Sequence, residues 1–495
     1  MIKNIKWLFL VSLTIVACSD DETVVVNNTS DGLPLTAGSA DFSNYVSLGN
    51  SLTAGYCDNA LFIEGQANSY PAILADQFAL VGGGEFKIPY TNDNTGGLLL
   101  GGNVIAGPRL YFNGAGPAPV TGIPTTEVST VLAGPFNNMG VPGAKSFHLL
   151  APGYGNVAGV ATGQANPYFV RFASSPSTTI LADAAAQDPT FFSLWIGNND
   201  VLGYATSGGS GTNQTGNFNP ATYGPNDITD PNVFANVYTA LVDGMTANGA
   251  QGVVANLPYV TTIPFFTTVP HNPVPLNAAT AAQLNAGFAA YNNGLLFAQS
   301  VGLLTADEVT RRTISFTAST TNRVVMVDSY LTNLAAYGIP SYRQATSEDL
   351  VVLPARSFIG TVVGGNPAQI NGVSVPLADN WILSKDEILE VKTATDAYNA
   401  TIQSIASAKG LAFVDANVLM TRVANGGITA DNFTVTSTYV TGGGFSLDGV
   451  HPSPRGYALI SNEFIKAINA TYGSNFKGVS LGSYRILYPQ NPDNF

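Results

Sequence analysis

The chain has 495 residues, of which 45% are hydrophobic and only 10% are charged, and its formal net charge is −13. About a quarter of the residues of an average soluble protein are charged, so the polar surface here must consist of Asn, Thr, Ser and Gly, a composition that fits an exported protein. The sequence contains no Lys/Arg cluster that could neutralise a phosphate backbone, which argues against nucleic acid as a partner.

The first residues carry the pattern of a bacterial lipoprotein export signal. Two lysines precede an apolar run over residues 7–17, which is too short for a membrane-spanning helix of roughly 20 residues and indicates a signal peptide over residues 1–17. The letters IVAC resemble a lipobox, whose cysteine, here Cys18, becomes the lipidated N-terminus. The following SDDE resembles the signal that directs lipoproteins of some Gram-negative bacteria to the outer face of the outer membrane. We therefore expect a cell-envelope, outer-membrane lipoprotein held by lipid on Cys18, with a flexible tether over residues 18–39.

Four short apolar runs predict strands of a parallel sheet. Three of them end at a glycine or proline and the fourth follows a glycine, as expected for strands that are buried on both faces. They are YVSL (residues 45–48), FFSLWI (191–196), GVVANL (252–257) and LAFVDA (411–416).

Helical patterns lie between these runs. Residues 233–247 carry an apolar stripe, SKDE at residues 384–387 is a capping box, and SPRGY at residues 453–457 places a capping serine before a proline. The alternation of strands and helices predicts one doubly wound three-layer α/β/α sandwich over residues 40–480, with a C-terminal tail over residues 481–495. Segments rich in Gly or Pro, or long enough to hold their own helices, are interpreted as insertions at strand ends, at residues 82–135, 206–230 and 259–379.

A serine, a histidine and an acid stand where nucleophilic catalysis needs them. Ser51 follows the first predicted strand, in GNSLTAG. The chain has only three histidines, and His451 lies three residues after Asp448, on a loop just before a capped helix. An acid so placed can hold one ring nitrogen and leave the other free for Ser51. His148 lies in an apolar context and His271 in a proline-rich loop, so both are interpreted as structural.

Four motifs, GNSLTAG, NNMGVPGAKS, WIGNNDVL and DGVHPSPRGY, in this order, resemble blocks I, II, III and V of the SGNH (GDSL) hydrolase family. The resemblance covers residues 41–472 approximately. It implies a flavodoxin-like fold with a mainly parallel sheet, and neither metal nor organic cofactor. The sequence departs from the family at Asn50, where an aspartate is usual.

The resemblance also implies the role of each site residue. Ser51 would be the nucleophile, His451 the general base and then acid, and Asp448 its orienting partner. The oxyanion would be bound by the backbone N–H groups of Ser51 and Gly143 and by the side-chain amide of Asn199.

These roles predict a serine esterase or lipase that hydrolyses carboxylic esters of small molecules, lipids or acylated carbohydrates. Two alternatives stay open. A carbohydrate acetyl esterase would share the catalytic residues and could use aromatic side chains of the insertions to hold sugars, namely Tyr111, Phe112, Tyr223, Phe265 and Phe266. A surface lipoprotein that binds ligands without turnover would keep the fold alone.

Overall fold

The computed structural model describes residues 29–491, so the predicted signal peptide and Cys18 lie outside the described residues. Its centre is a five-stranded sheet in which every strand pairing is parallel. The strands are β1 (Tyr45–Gly49), β2 (Asn138–Gly140), β3 (Phe191–Trp195), β4 (Gln251–Ala255) and β5 (Ala412–Val414). Their order across the sheet is 2-1-3-4-5, the flavodoxin-like doubly wound order. The four strands predicted from apolar runs are confirmed, and β2 is added to them.

The α-helices of the described residues connect and cover these strands. They are α1 (Ser51–Ala54), α2 (Ile63–Ala67), α3 (Tyr70–Ala79), α4 (Pro167–Val170), α5 (Ile180–Ala185), α6 (Asn199–Thr206), α7 (Pro231–Thr246), α8 (Pro264–Thr267), α9 (Ala278–Ser300), α10 (Ala306–Arg312), α11 (Lys385–Lys409), α12 (Ala416–Ala424) and α13 (Pro454–Tyr472).

Capping residues define the long helices as the sequence predicts. Ser384 accepts a hydrogen bond from the backbone N–H of Glu387, whose side chain accepts one from the N–H of Ser384, so the capping box at the start of α11 is confirmed. At the start of α13, Ser453 accepts from the N–H of Gly456 and Pro454 occupies the first helical position. Helix α7 ends at Thr246, and its C-cap is Ala247 rather than Gly249, which lies two residues farther on.

Aromatic side chains form the core on one face of β3. Phe191 packs edge-on against Tyr472 of α13 and Phe78 of α3, and Trp195 packs against Phe464 of α13. Successive side chains of a strand point to opposite faces, so Phe192 between them faces the other way, and it is also fully buried. Helices α7 and α11 pack against each other through Phe234 and Tyr398, whose ring centroids are 4.2 Å apart.

The predicted insertions contain small two-stranded ribbons rather than additions to the main sheet. Residues 82–135 hold the pairs Leu98–Leu100 with Asn103–Ala106 and Leu110–Phe112 with Pro117–Pro119. Residues 259–379 hold α8, α9, α10 and three pairs: Val274–Leu276 with Ser319–Asn322, Val325–Val327 with Tyr342–Gln344, and Val362–Val363 with Asn366–Ile370. Two further pairs are Leu350–Val351 with Ile382–Leu383 and Ile428–Ala430 with Phe433–Val435.

Of the tether predicted over residues 18–39, the structure describes residues 29–39, which are hydrogen-bonded to the end of α13. The backbone N–H of Ser39 donates to the carbonyl of Tyr472 at 2.8 Å, and the N–H of Thr36 donates to Asn475 Oδ1 at 2.9 Å. The composition suggested a free linker, but its backbone groups find partners at the end of α13. The predicted tail is likewise packed, because Tyr488 is buried and the Arg109 guanidinium donates to the carbonyl of Pro489 at 2.7 Å. No helix within residues 29–491 is long and apolar enough to cross a membrane.

Candidate active site

Ser51 begins helix α1 directly after β1, at the carboxyl edge of the sheet. Asn50 caps this helix, since its Oδ1 accepts a hydrogen bond from the N–H of Leu52 at 3.0 Å. Gly49 is required before it, because a Cβ there would lie 2.0 Å from Thr53 Oγ1. In a doubly wound sheet, ligands bind beyond the carboxyl ends of the strands where the strand order reverses, which here is between β1 and β3.

His451 lies at hydrogen-bond distance from Ser51, 400 residues away in sequence. Its Nε2 is 2.9 Å from Ser51 Oγ, and its Nδ1 is 2.9 Å from Asp448 Oδ2. The loop that carries both residues ends at the cap of α13, which fixes where the imidazole stands. The structure therefore brings the three residues together in the order serine, imidazole, carboxylate.

The Asp448 carboxylate is held by several donors. Oδ1 accepts from the N–H groups of Val450 and His451, both at 2.8 Å, and from Ser446 Oγ at 3.0 Å, while Oδ2 also accepts from the N–H of Asn59 at 3.1 Å. Burial alone would raise the pKa of Asp448, but the charge and hydrogen bond of His451 and these backbone donors lower it below its usual value. An ionised Asp448 keeps the proton of His451 on Nδ1, so Nε2 is free to accept from Ser51.

A second buried acid supports this loop and was missed in the sequence. Asp58 Oδ1 accepts from the N–H of Leu447 at 2.8 Å, and the N–H of Asp58 donates to Ser446 Oγ at 3.0 Å. Burial raises the pKa of Asp58 to about 7, and the nearby charge of Asp448 adds to that effect. Asp58 and Asn59 both have positive φ, at 51° and 64°, a conformation that Asp and Asn tolerate better than most residues. The Asp-Asn pair at residues 58 and 59 was the available sequence signal, because these residue types indicate a turn. It does not reveal the contact of Asp58 with Leu447, 389 residues away.

Two of the three predicted oxyanion donors have no acceptor within residues 29–491: the backbone N–H groups of Ser51 and Gly143. Gly143 has φ of 82°, which favours glycine, and its turn follows β2. Asn199 Nδ2 donates to the carbonyl of Ala144 at 2.9 Å, which orients the amide and uses one of its two N–H groups. The second N–H group of Asn199 has no acceptor within the described part of the chain.

The motif around Gly143 is locked to the start of α6. Asp200 is fully buried, and it accepts from the N–H of Ser146 at 2.8 Å and from Ser146 Oγ at 2.7 Å. Burial raises the pKa of Asp200 from its usual value, and the two donors from Ser146 partly offset this. The contact holds the Gly143 turn and Asn199 in one rigid unit.

Asn50, the departure from the family pattern, is also fully buried. Its Nδ2 donates to Asn198 Oδ1 at 3.2 Å. An ionised aspartate could still cap α1 but could not make this donation. The chain therefore uses a neutral amide pair beneath Ser51.

An apolar cavity opens beside Ser51, Asn199 and His451 and continues between α12 and α13. Gly143 is not among its lining residues, so the cavity lies on the β3 to β5 side of Ser51. The five aromatic residues considered as sugar platforms do not line it either.

The other two histidines stand apart from this cavity. His148 Nδ1 accepts from the N–H of Lys145 at 3.0 Å, its ring stacks on Tyr154, and burial, with the charge of Lys145, lowers its pKa to about 4. His271 is in a loop, where burial lowers its pKa. Within residues 29–491, no group of three or more His, Cys, Asp or Glu residues could hold a metal ion.

No family model matches the chain, and no curated protein matches it. Three solved structures align with 87% of the chain. They are an α/β hydrolase enzyme from the metagenome of Lake Arreo, Spain (10% identity, 97% of that chain, TM-score 0.34), a mutant of an acetyl-xylooligosaccharide esterase from Geobacillus (10%, 96%, 0.31) and an extracellular lipase from Streptomyces rimosus (13%, 99%, 0.28). TM-scores this low do not establish a shared fold.

Proposed function

We propose that this protein is a serine hydrolase of carboxylic esters, of the SGNH type. The observation that carries the proposal is the hydrogen-bond chain from Ser51 through His451 to Asp448, with both links at 2.9 Å. A nucleophile, a base and an orienting acid in contact are the arrangement that activates a serine. The 2-1-3-4-5 strand order supports a flavodoxin-like, three-layer α/β/α form of the fold.

In the first half of the reaction, His451 Nε2 takes the proton of Ser51 as Oγ attacks the ester carbonyl carbon. The oxyanion that forms accepts hydrogen bonds from the N–H groups of Ser51 and Gly143 and from the free N–H of Asn199. Collapse of this intermediate breaks the bond to the alcohol, and His451 returns its proton to the leaving oxygen.

In the second half, water attacks the acyl group on Ser51 while His451 again serves as the base. The tetrahedral intermediate uses the same oxyanion donors, and its collapse releases the carboxylic acid and restores Ser51. Asp448 stays ionised throughout and holds the imidazolium that forms in each half. The cell envelope, reached through lipid on Cys18, is the proposed location.

The proposal is tested by covalent labelling with a fluorophosphonate and by hydrolysis of p-nitrophenyl acetate. We expect the label on Ser51, and we expect Ser51→Ala and His451→Ala each to lose at least about 10³-fold in kcat with the fold intact, because the remaining donors alone give weak catalysis. Ser43→Ala and His271→Ala serve as matched controls and keep wild-type rates. A protein that neither reacts with the label nor hydrolyses any ester would instead be a binding lipoprotein.

A further inference from the structure

The cavity beside Ser51 is bounded by one face of each of two helices. The lining residues of α12 are three or four positions apart in the sequence, so they lie on one face of that helix. The lining residues of α13 have the same spacing and begin in its first turn. They are Ala416, Leu419, Met420 and Val423 on α12, and Gly456, Leu459 and Ile460 on α13. From Ala416 to Val423 the cavity follows α12 for about 10 Å, at 1.5 Å per residue.

The remaining wall is apolar as well. It comes from the segments after β3 and β4 and from the strand and loop that precede the His451 loop. These residues are Leu202, Pro258, Val260, Ile263, Val435 and Phe445. None of the residues that line the cavity is Asp, Glu, Lys or Arg.

The polar side chains of the lining stand at the Ser51 end, and most of their groups already have partners. Asn50 and Asn198 hydrogen bond to each other, and the indole N–H of Trp195 donates to the carbonyl of Asn256 at 3.0 Å. The groups left are the side-chain N–H groups of Asn198 and the groups of Ser51, His451 and Asn199, the last three of which the reaction itself would use. No polar side chain lines the part of the cavity between α12 and α13. A sugar ring in this space would leave its hydroxyl groups without partners, at a free-energy cost for each one, whereas a hydrocarbon chain needs none.

We propose, building on the ester hydrolysis proposed above, that this cavity binds an unbranched aliphatic chain of the ester and so selects aliphatic esters over acetylated polysaccharide. The ester carbonyl sits at Ser51 and the chain extends between α12 and α13 toward Val423. Each methylene that leaves water for this cavity raises kcat/KM by up to about fourfold, until the space is filled. The chain can belong to the acyl part or to the alcohol part of the ester.

Two substrate series show whether the bound chain belongs to the acyl part or to the alcohol part of the ester. The first is p-nitrophenyl esters from acetate to dodecanoate, in which only the acyl part grows. The second is acetate esters of ethanol to dodecanol, in which only the alcohol part grows. We expect kcat/KM to rise with chain length in one series and to reach a maximum. The kcat/KM at that maximum should exceed the kcat/KM for release of acetate from acetylated xylan.

Variants of α12 test whether the chain occupies this cavity. Val423→Phe reduces the space beside the last turn of α12 and should shorten the preferred chain by two or more carbons. Val423→Ala enlarges the same part and should shift the maximum toward longer chains. Val418→Phe is the matched control on the same helix, because Val418 is 52% exposed and does not line the cavity, and it should keep the wild-type profile.

The outcomes separate this inference from the proposed function. If Ser51 is labelled and acetate esters are hydrolysed, but the profiles of both Val423 variants equal that of wild type, the inference is wrong and the proposed function stands. A wild-type enzyme that prefers acetylated xylan to every aliphatic ester also overturns it. If neither labelling nor hydrolysis occurs, both proposals fail together.

Discussion

Asn199 is the residue whose part in the proposed reaction is most directly measurable. Its amide is oriented by the carbonyl of Ala144, and it stands at the start of α6 beside the cavity mouth. A side-chain donor to an oxyanion acts mainly on the transition state, so its removal should lower kcat more than it changes KM.

We therefore expect Asn199→Ala to lose on the order of 10²–10³ in kcat, the usual effect of removing one oxyanion donor. Steady-state kinetics with p-nitrophenyl acetate measure this loss, and circular dichroism checks the fold. A loss below threefold would remove Asn199 from the oxyanion site.

Asp58 should make the stability of the protein depend on pH. Its pKa is about 7 in the folded protein against 3.8 for an ordinary aspartate. Between these values the folded state holds a proton that the unfolded state has lost, so the free energy of unfolding falls as pH rises from about 4 to 7 and is level above.

In Asp58→Asn this slope should be reduced, because the amide does not ionise, tolerates positive φ, and still accepts from the N–H of Leu447. Urea unfolding at pH 5 and pH 8 measures the difference. Asp41→Asn is the control, since Asp41 is exposed and its pKa is lowered by its bonds to Ser43 rather than raised. An unchanged slope in Asp58→Asn would show that Asp58 is ionised throughout this range.

At the residue scale, short-range spacing was informative and long-range contact was not. The contact of Asp448 with His451 was predictable from their separation of three residues, and scarcity of histidine pointed to Ser51 as the third member. Asp58 and Ser446 were not predictable, since a buried acid in a turn carries no mark of its partner in sequence.

At the scale of elements, α11 and α13 both begin at a capping serine, but only the cap of α13 lies next to the loop that carries His451. Ser384 and Ser453 are both buried, and each accepts from the N–H three residues later at the start of a long helix. Ser453 lies two residues after His451, and its Oγ also donates a hydrogen bond to the carbonyl of Gly443 at 2.6 Å.

We expect Ser384→Ala and Ser453→Ala each to lower the free energy of unfolding by about 1 kcal/mol, the typical value of an N-cap. Only Ser453→Ala should also lower kcat, because its cap fixes the loop that carries His451. Urea denaturation and steady-state rates on the same preparations measure both effects. Equal kcat values for the two variants would show that the cap of α13 does not position His451.

The sequence was most informative where local patterns decide structure. Apolar runs predicted β1, β3, β4 and β5, and capping residues predicted where α11 and α13 begin. β2 was missed because it has three residues with one large apolar side chain, Met139, and is a strand only through its pairing with β1. The ribbons of the insertions were missed for a similar reason, because each of their strands has only two to five residues and forms by pairing with its partner.

At the scale of the whole molecule, the proposed lipid anchor sets where the enzyme works. Cys18 lies outside the described residues, and Cys57 is the other cysteine of the chain. Cys57 is buried within the core, where burial raises the pKa of its thiol.

We expect Cys18→Ser to move the protein from the membrane fraction to the soluble fraction, because the proposed anchor is a lipid on this residue alone. Cys57→Ser is the matched control and should stay with membranes. Metabolic labelling of the cells with a fatty-acid analogue, followed by fractionation, measures both. Full membrane retention of Cys18→Ser would contradict lipidation at this position.

Hydrogen bonds fasten residues 29–39 to the end of α13, and they decide on which side of the fold a membrane anchor would be attached. Helix α13 begins just after His451 and ends where the N-terminal segment docks. Its 19 residues span about 28 Å, so the chain enters the fold at the end of this helix opposite to the catalytic loop. The ten residues between Cys18 and residue 29 reach at most about 35 Å when fully extended, only slightly more than the helix. A molecule anchored through Cys18 would therefore be attached to the membrane at the end of α13 that lies opposite to the catalytic loop.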